Sequence, residues 1–493
     1  MALASVIPAS AGDLRMAAAA LPPGLGNPFT GVNQPGSEIW LSIYDALTIL
    51  DWGKDATPGL ALSWTMTAPT RWEFRLRPGV TFHNGKPFTA ADVVGTYQIL
   101  HSAEGAGFLV AGEVQNISGM RALNPMTLEI ETRAPDAILP KRLATMMIVD
   151  PDHWRAVGAG GSARAPVGTG PFRLRTWGPG DKAAELDANP ASWRVPVAVT
   201  RLRYRVIVEH NARVQALLSD QADVASGLQI EDIADLEARG LKAHIQPNPQ
   251  LKSIAFRTVR DETHALQDVR VRRALNHAVD RDSIAGVIML GHVAPIGQAA
   301  PPGLTGHNPE VAPYRYDPAR ARALLAEAGY ARGLKLNFDV VTQNATPDAL
   351  IFQKIAQDLA AVGVAAELRS ITFADYQVKY ASGRWGDADG FSQTWNNAAY
   401  QDPIRAIEYF SCLKPNPFFC APALMPAIAA INAEVDLARR EDLLKTYMAR
   451  LHDAAPAIWI TNAAYVVGHT DAVPAVTMLP TGVAFERLRF SAP

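Results

Sequence analysis

The residues that could do chemistry in this chain are 11 histidines, 2 cysteines and a few glycine-rich turns. The turn GVTFHNGKP, around His83, carries glycines and a lysine as a phosphate loop would. Its glycine spacing is wrong, and Pro87 stands where a hydroxyl would hold magnesium. GTGPFR, which starts at Gly168, lacks the third glycine of a dinucleotide fingerprint. Neither a GxSxG elbow nor an HExxH helix occurs. The histidines stand mostly alone, so the sequence predicts no catalytic residue, no metal ligand and no cofactor. His83 has no acid or nucleophile at a recognised spacing and is expected to be structural.

Cys412 and Cys420 lie close together in FSCLKPNPFFCAP, with prolines between them. A zinc site would need two further ligands nearby. In an oxidising compartment the pair would close a small disulfide loop; in a reducing one both would stay buried thiols. The N-terminal MALASVIPASAGD bears on this choice. Its apolar stretch ends in Ala9-Ser10-Ala11, a small-x-small pattern that fits a signal peptidase site, although a basic flank is missing. Residues 1–12 are read as the remnant of an export signal, the other reading being a flexible Ala-rich terminus. Export favours a Cys412–Cys420 disulfide and a periplasmic location.

A chain of 493 residues exceeds what one hydrophobic core usually supports, so two or three lobes are expected. The hydrophobic fraction is 48%, the charged fraction 19% and the net charge -2, ordinary values for a globular protein. With no basic excess or stripe, nucleic acid is not expected as a partner. No apolar run approaches the roughly 18 residues of a membrane span.

The elements that must position any site alternate between strands and helices. TRWEFRLRPGVTF puts Trp72, Phe74 and Leu76 on one face and charges on the other, the period of a half-buried strand. RLRYRVIV repeats this, with Leu202, Tyr204, Val206 and Val208 inward. Thr89 and Asp92 form a capping box at the start of a helix. Val271, Leu275, Ala278 and Val279 fall at helical spacing. Asp317, Pro318 and Gly329 delimit another helix as cap, first turn and stop. LIFQKIAQDLAAVGV reads as a helix through Ile351, Ile355, Leu359 and Val362, stopped at Gly363. RREDLLKTYMARLHDAAP reads as a last helix, broken before Pro456. The fold class is α/β, tightly integrated, with no low-complexity linker.

Five segments, in order, resemble one family: SIYDALTILDWGKDATPGLALSWTM with WEFRLRPGVTFHNGKPFTAADVV, VGTGPFRLRTWGPGDKAAELDANPASW, LKSIAFRTVRDETHALQDVRVRRALNHAVDRDSI, YDPARARALLAEAGY and LHDAAPAIWI. The family is the extracytoplasmic solute-binding proteins of dipeptide, oligopeptide and nickel ABC importers, family 5. The resemblance implies a two-lobed periplasmic binding protein fold (type II, cluster C). Lobe I would comprise residues 13–253 and 468–493, with an extra subdomain around 45–175, and lobe II residues 254–467. The crossovers would fall near Ser253 to Arg257 and near Asn462 to Gly468. It also implies a monomer that holds a small-molecule or peptide ligand between its lobes and delivers it to a membrane permease.

Such a cleft is mostly apolar, with a few fixed polar groups. In similar proteins two stretches face it. Here these are NPFTGVNQPGSEIW, with Asn33 and Gln34, and FSQTWNNAAYQDP, with Trp395, Asn396, Asn397 and Tyr400. Trp395 would wall the pocket or pack in the core, and the asparagines would bind solute or make a turn. Asp402 reads as a turn residue. Dipeptide-binding members place an acid after the tryptophan and an arginine at the start of the later helix. Here Ala398 and Ala349 or Leu350 take those positions, so the clamp for a free zwitterion is missing. A longer peptide, an opine, a sugar derivative or an aromatic compound all remain open, as does a chemosensory role.

Overall fold

The computed structural model describes residues 12–32, 36–53, 55–196, 198–260, 263–342, 347–480 and 482–491. The chain divides into two compact units, the first reaching Gln246 and resuming at Val466, the second running from Pro247 to Tyr465. The proposed export remnant, residues 1–12, lies outside the described residues except for Gly12.

In the first unit, strand Gly12–Ala18 runs parallel to both Val199–Val206 and Val224–Leu228. Ala183–Ala188 and Phe172–Trp177 extend the sheet antiparallel. Leu14 opposes Leu202 and Met16 opposes Tyr204, all buried. The arginines between them point outward, as the period of two requires. The expectation for Val208 fails, since it is 71% exposed. The strand ends at Val206, and the chain turns there toward the helix His210–Leu218. A second, four-stranded antiparallel sheet has the order Ala61–Ala68, Arg71–Leu76, Thr127–Thr132, Ile117–Asn124. Trp72, Phe74 and Leu76 are its buried face. The helix Ala90–Leu100 starts at the Thr89–Asp92 capping box, with Thr89 N–H donating to Asp92 Oδ2 at 2.8 Å.

The family-like turns of this unit converge on one polar knot. Asp45 accepts from Thr169 Oγ1 at 2.7 Å, Trp193 Nε1 at 3.0 Å and Arg194 Nε at 2.7 Å. Arg194 also donates to Glu486 Oε1 at 2.7 Å and to the carbonyls of Leu41 and Tyr44. Burial works against the guanidinium charge, but Asp45 and Glu486 more than offset it and raise the pKa further. Gly168 and Gly170 are required by close approach. A Cβ on Gly168 would lie 2.1 Å from the Ile43 carbonyl oxygen, and one on Gly170 would lie 2.5 Å from the Ile43 carbonyl carbon. His83 pins the same turn. Its Nε2 lies 3.1 Å from the Gly170 carbonyl, and Gly168 N–H points at Nδ1. One nitrogen donates and the other accepts, which defines a neutral imidazole. Burial pushes its pKa down to about 4, against the opposing pull of the Gly170 carbonyl.

In the second unit, Val364–Ser370 and Gly390–Trp395 run parallel to Leu334–Val340. Leu251–Phe256, the later part of strand Lys242–Phe256, pairs antiparallel with Gly390–Trp395. The helix Val269–Ala278 buries Val271, Leu275 and Ala278. It stops there because Val279 is extended and Asp280 caps a new turn, Arg281–Ser283. Pro318–Glu327 begins at the Asp317 cap, and Gly329 follows with φ +92. Asp348–Ala360 buries Ile351, Ile355 and Leu359, and Gly363 takes φ +86 beyond it. Leu437–Ala454 ends at Ala455, which is left-handed, immediately before Pro456.

Both passages between the units lie inside long strands, Lys242–Phe256 and Ala457–His469. The division at 246/247 precedes the sequence-derived 253/254 by seven residues, and that at 465/466 precedes 467/468 by two. A continuous strand offers no turn residue to mark such a point.

Candidate functional site

Strand Gly390–Trp395 carries the candidate residues at its C-terminal end, in the second unit. Trp395 opposes Leu251 across the ladder and is fully buried. Its ring lies on Phe410, with centroids 3.3 Å apart and planes 15° apart, and tilts against Trp459 at 4.7 Å. Nε1–H donates to Ser253 Oγ at 3.1 Å. Trp395 is therefore a core residue here, with one ring face covered by Phe410. Phe410 packs edge-on against Phe418 at 4.9 Å. Phe418 lies within the loop that the Cys412–Cys420 disulfide closes, with Cα atoms 4.5 Å apart. The disulfide expected from the sequence is thus part of the packing behind Trp395.

Asn396 and Asn397 do different work. Asn396 Oδ1 accepts from Ala398 N–H at 3.1 Å, which makes a local turn. Asn397 is fully buried. Its Nδ2 donates to the carbonyls of Pro249 at 2.9 Å and Ala299 at 2.7 Å. Its Oδ1 is buried without a hydrogen-bond partner among the described residues. Tyr400 and Ala398 are buried beside it in sequence. Asn33 and Gln34 lie outside the described residues.

Sequence reasoning did not find the charged pairs around this stretch. Asp402 caps a turn by accepting from Ile404 N–H at 3.0 Å, as expected of a turn residue. It also pairs with Arg440 through two bonds of 2.7 and 3.0 Å, both side chains being buried. Lys252, opposite Thr394 in the ladder, is paired with Asp348 at the start of the helix Asp348–Ala360. Leu350, 56% exposed, and Ala398, buried, both carry apolar side chains, so neither position offers a charge. Nothing local marks these pairs: Arg440 lies in the charged run ARRED, and Asp402 lies between Gln401 and Pro403. Among the described residues no group of three or more His, Cys, Asp or Glu side chains is placed to hold a metal ion. No helix among them is long and apolar enough to cross a membrane.

Comparison with known proteins adds the wider context. The profile of the bacterial extracellular solute-binding proteins, family 5, matches residues 55–416. The dipeptide-binding protein of Escherichia coli K12 is 26% identical over 446 residues, covering 83% of this chain and 81% of that one. The di/tripeptide-binding protein 2 of Pseudomonas aeruginosa UCBPP-PA14 is 27% identical over 386 residues, covering 71% and 72%. Among solved structures, the ABC transporter-associated periplasmic binding protein DppA from Helicobacter pylori, in complex with peptide STSA, superposes with a TM-score of 0.83. That pair is 21% identical and covers 98% and 99% of the two chains. AgaA from A. tumefacien R10, in complex with agropinic acid, gives a TM-score of 0.82 at 22% identity and 98% and 99% coverage. At these identities the structures speak for the fold.

Proposed function

This chain belongs to the bacterial extracellular solute-binding proteins, family 5, and from that premise we propose that it captures a peptide or peptide-like solute and delivers it to the membrane permease of an ABC importer. It works outside the cytoplasm, as a monomer, and leaves its solute chemically unchanged. The relatives named for dipeptides and di/tripeptides support a peptide cargo, and the fold shared with a protein that holds agropinic acid keeps an opine as the second reading.

Recognition rests on the Trp395–Tyr400 stretch, with Asn33 and Gln34 as further polar contacts. The observation that carries this is Asn397, whose amide donors are both occupied while Oδ1 has no partner among the described residues. A buried unpaired acceptor costs about 1–3 kcal/mol, which a solute N–H would offset. Trp395 holds the Asn397 strand end in place from behind. The absence of charge at Ala398 and Leu350 disfavours a free zwitterion, whose termini need compensating partners when buried.

Native mass spectrometry of the purified protein identifies any solute carried from the cell. A calorimetric panel of dipeptides, longer peptides, opines and sugars then ranks them on wild type, Asn397→Leu and Trp395→Ala. Longer or neutral amide-rich solutes should bind more tightly than free dipeptides. Asn397→Leu should weaken them on the order of tenfold, and Trp395→Ala should cost about 3–5 kcal/mol of stability as well. Tight dipeptide binding that both substitutions leave intact would overturn the site. Conversion of the bound solute during incubation would overturn the non-enzymatic reading.

A further inference from the structure

Two histidines that are far apart in sequence meet at the roots of the strands connecting the two units. His244 stands two residues before the first passage between units, and His469 three residues after Val466, where the chain returns. Both belong to the first unit. Their Nε2 atoms face each other at 2.8 Å. The rings are within 17° of coplanar with centroids 4.8 Å apart, so they meet edge to edge. His469 is fully buried and His244 is exposed.

The protonation of this pair follows from its partners. His469 Nδ1 lies 3.2 Å from the Thr470 carbonyl oxygen, which only accepts. The ring proton of His469 is therefore on Nδ1, and its Nε2 presents a lone pair. The proton between the rings then sits on His244 Nε2. A backbone carbonyl that orients an imidazole through its other nitrogen is the support that metal-ligating histidines ordinarily have.

We propose that His244 and His469 form a site for a divalent first-row transition ion, Cu2+ or Ni2+ above the others, bound through the two Nε2 atoms with water in the remaining positions. Imidazole suits these ions, and affinity for nitrogen donors rises to Cu2+ along the series. Two ligands at about 2.0–2.1 Å from one ion stand roughly 3 Å apart when adjacent in its coordination sphere, close to the spacing already present. His469 stays fixed while His244, being exposed, swings to aim its lone pair at the ion. The proton on His244 Nε2 moves to its Nδ1 through solvent, so the ring exchanges one tautomer for the other and no proton is lost from the protein. Beyond the pair, Lys242 Nζ at the start of one strand and Asp471 Oδ1 in the turn after the other lie 3.7 Å apart, which leaves the outer side of the site polar.

The test is a titration of the full chain with CuCl2, followed by calorimetry and electron paramagnetic resonance, on wild type and His244→Ala. Wild type should bind one Cu2+ equivalent whose spectrum shows two nitrogen ligands. His244→Ala should weaken that equivalent at least tenfold without changing solute affinity. With Zn2+ and 15N-histidine labelling, the His244 signals should change from the Nε2–H to the Nδ1–H tautomer. His244 is exposed, so its substitution should leave the fold intact, which the melting temperature checks. Wild-type Cu2+ affinity in His244→Ala overturns the proposal, as does a wild-type affinity no better than that of free imidazole.

Discussion

Asp402 and Arg440 show how much one buried pair controls. The carboxylate is 0% and the guanidinium 2% exposed, so removing either takes the paired opposite charge away from a group buried in the core. Arg440→Met or Asp402→Asn alone should cost about 3–5 kcal/mol in urea denaturation, and the double replacement by apolar residues markedly less. His83 makes a pH-dependent contribution of definite sign. Its folded pKa of about 4 lies below the ordinary 6.5, so the unfolded state binds the proton first. Its stabilisation is complete above pH 6.5 and is lost as pH falls toward 4, by up to about 3 kcal/mol. Glu38 acts with the opposite sign. Burial raises its pKa to about 6, so its contribution is present below 4.5 and fades as pH rises through 6. The difference between wild type and His83→Gln, followed by urea midpoint from pH 4 to 7, isolates the histidine. Of these residues, the sequence marked His83 as structural and Asp402 as a turn residue. It did not mark Arg440 as Asp402's partner or bring His244 to His469, because nothing in one sequence identifies a partner 38 or 225 positions away.

At the scale of elements, local patterns were legible and terminations less so. The Trp72–Phe74–Leu76 face, the Thr89–Asp92 box and the Asp317 cap all follow from neighbours within a few residues. Val208 was misplaced because alternation continued in the sequence after the strand had ended. Local pattern did not mark the passages between units, because each is an ordinary stretch of strand; their expected places came from the resemblance alone. Trp395 was legible as a large apolar anchor, but whether its face meets solute or Phe410 depends on a residue fifteen positions later. The Cys412–Cys420 loop, with a separation of 8, should contribute on the order of 2–3 kcal/mol. Reduction should lower the melting temperature. Because Phe418 links this loop to Phe410 and so to Trp395, it should also shift tryptophan fluorescence. Unchanged fluorescence on reduction would separate the loop from the candidate site. Thr89→Ala should cost about 1 kcal/mol, read as a lower urea midpoint at constant slope.

For the whole molecule, the relevant quantity is the linkage between solute and stability. A solute bound only by the folded protein at a hundred times its dissociation constant adds about 2.7 kcal/mol. The melting temperature should therefore rise with solute concentration, while gel filtration reports one monomeric species throughout. A solute-dependent change in molecular mass would instead point to assembly. Membership of the family was legible because its turns recur in order along the chain, and those turns are scaffold: Gly168, Gly170, Asp45 and Arg194 close one knot in the first unit. The cargo was not legible, since in the proposed site it would be read by a few polar atoms such as Asn397 Oδ1, whose surroundings only the folded chain defines.

That knot has a consequence for the order in which the chain matures. Glu486 closes it, and Val466–His469 supplies the strand edge beside Val224–Leu228, yet both are synthesised after the entire second unit. As the polypeptide emerges, the second unit has all its own strands before the first has its final partner. The first unit therefore waits, with Arg194 lacking its second carboxylate and one sheet edge open, while a younger segment completes itself. The early half of the chain thus gains its last contacts, the Glu486 carboxylate and the Val466–His469 strand edge, only when the late segment arrives.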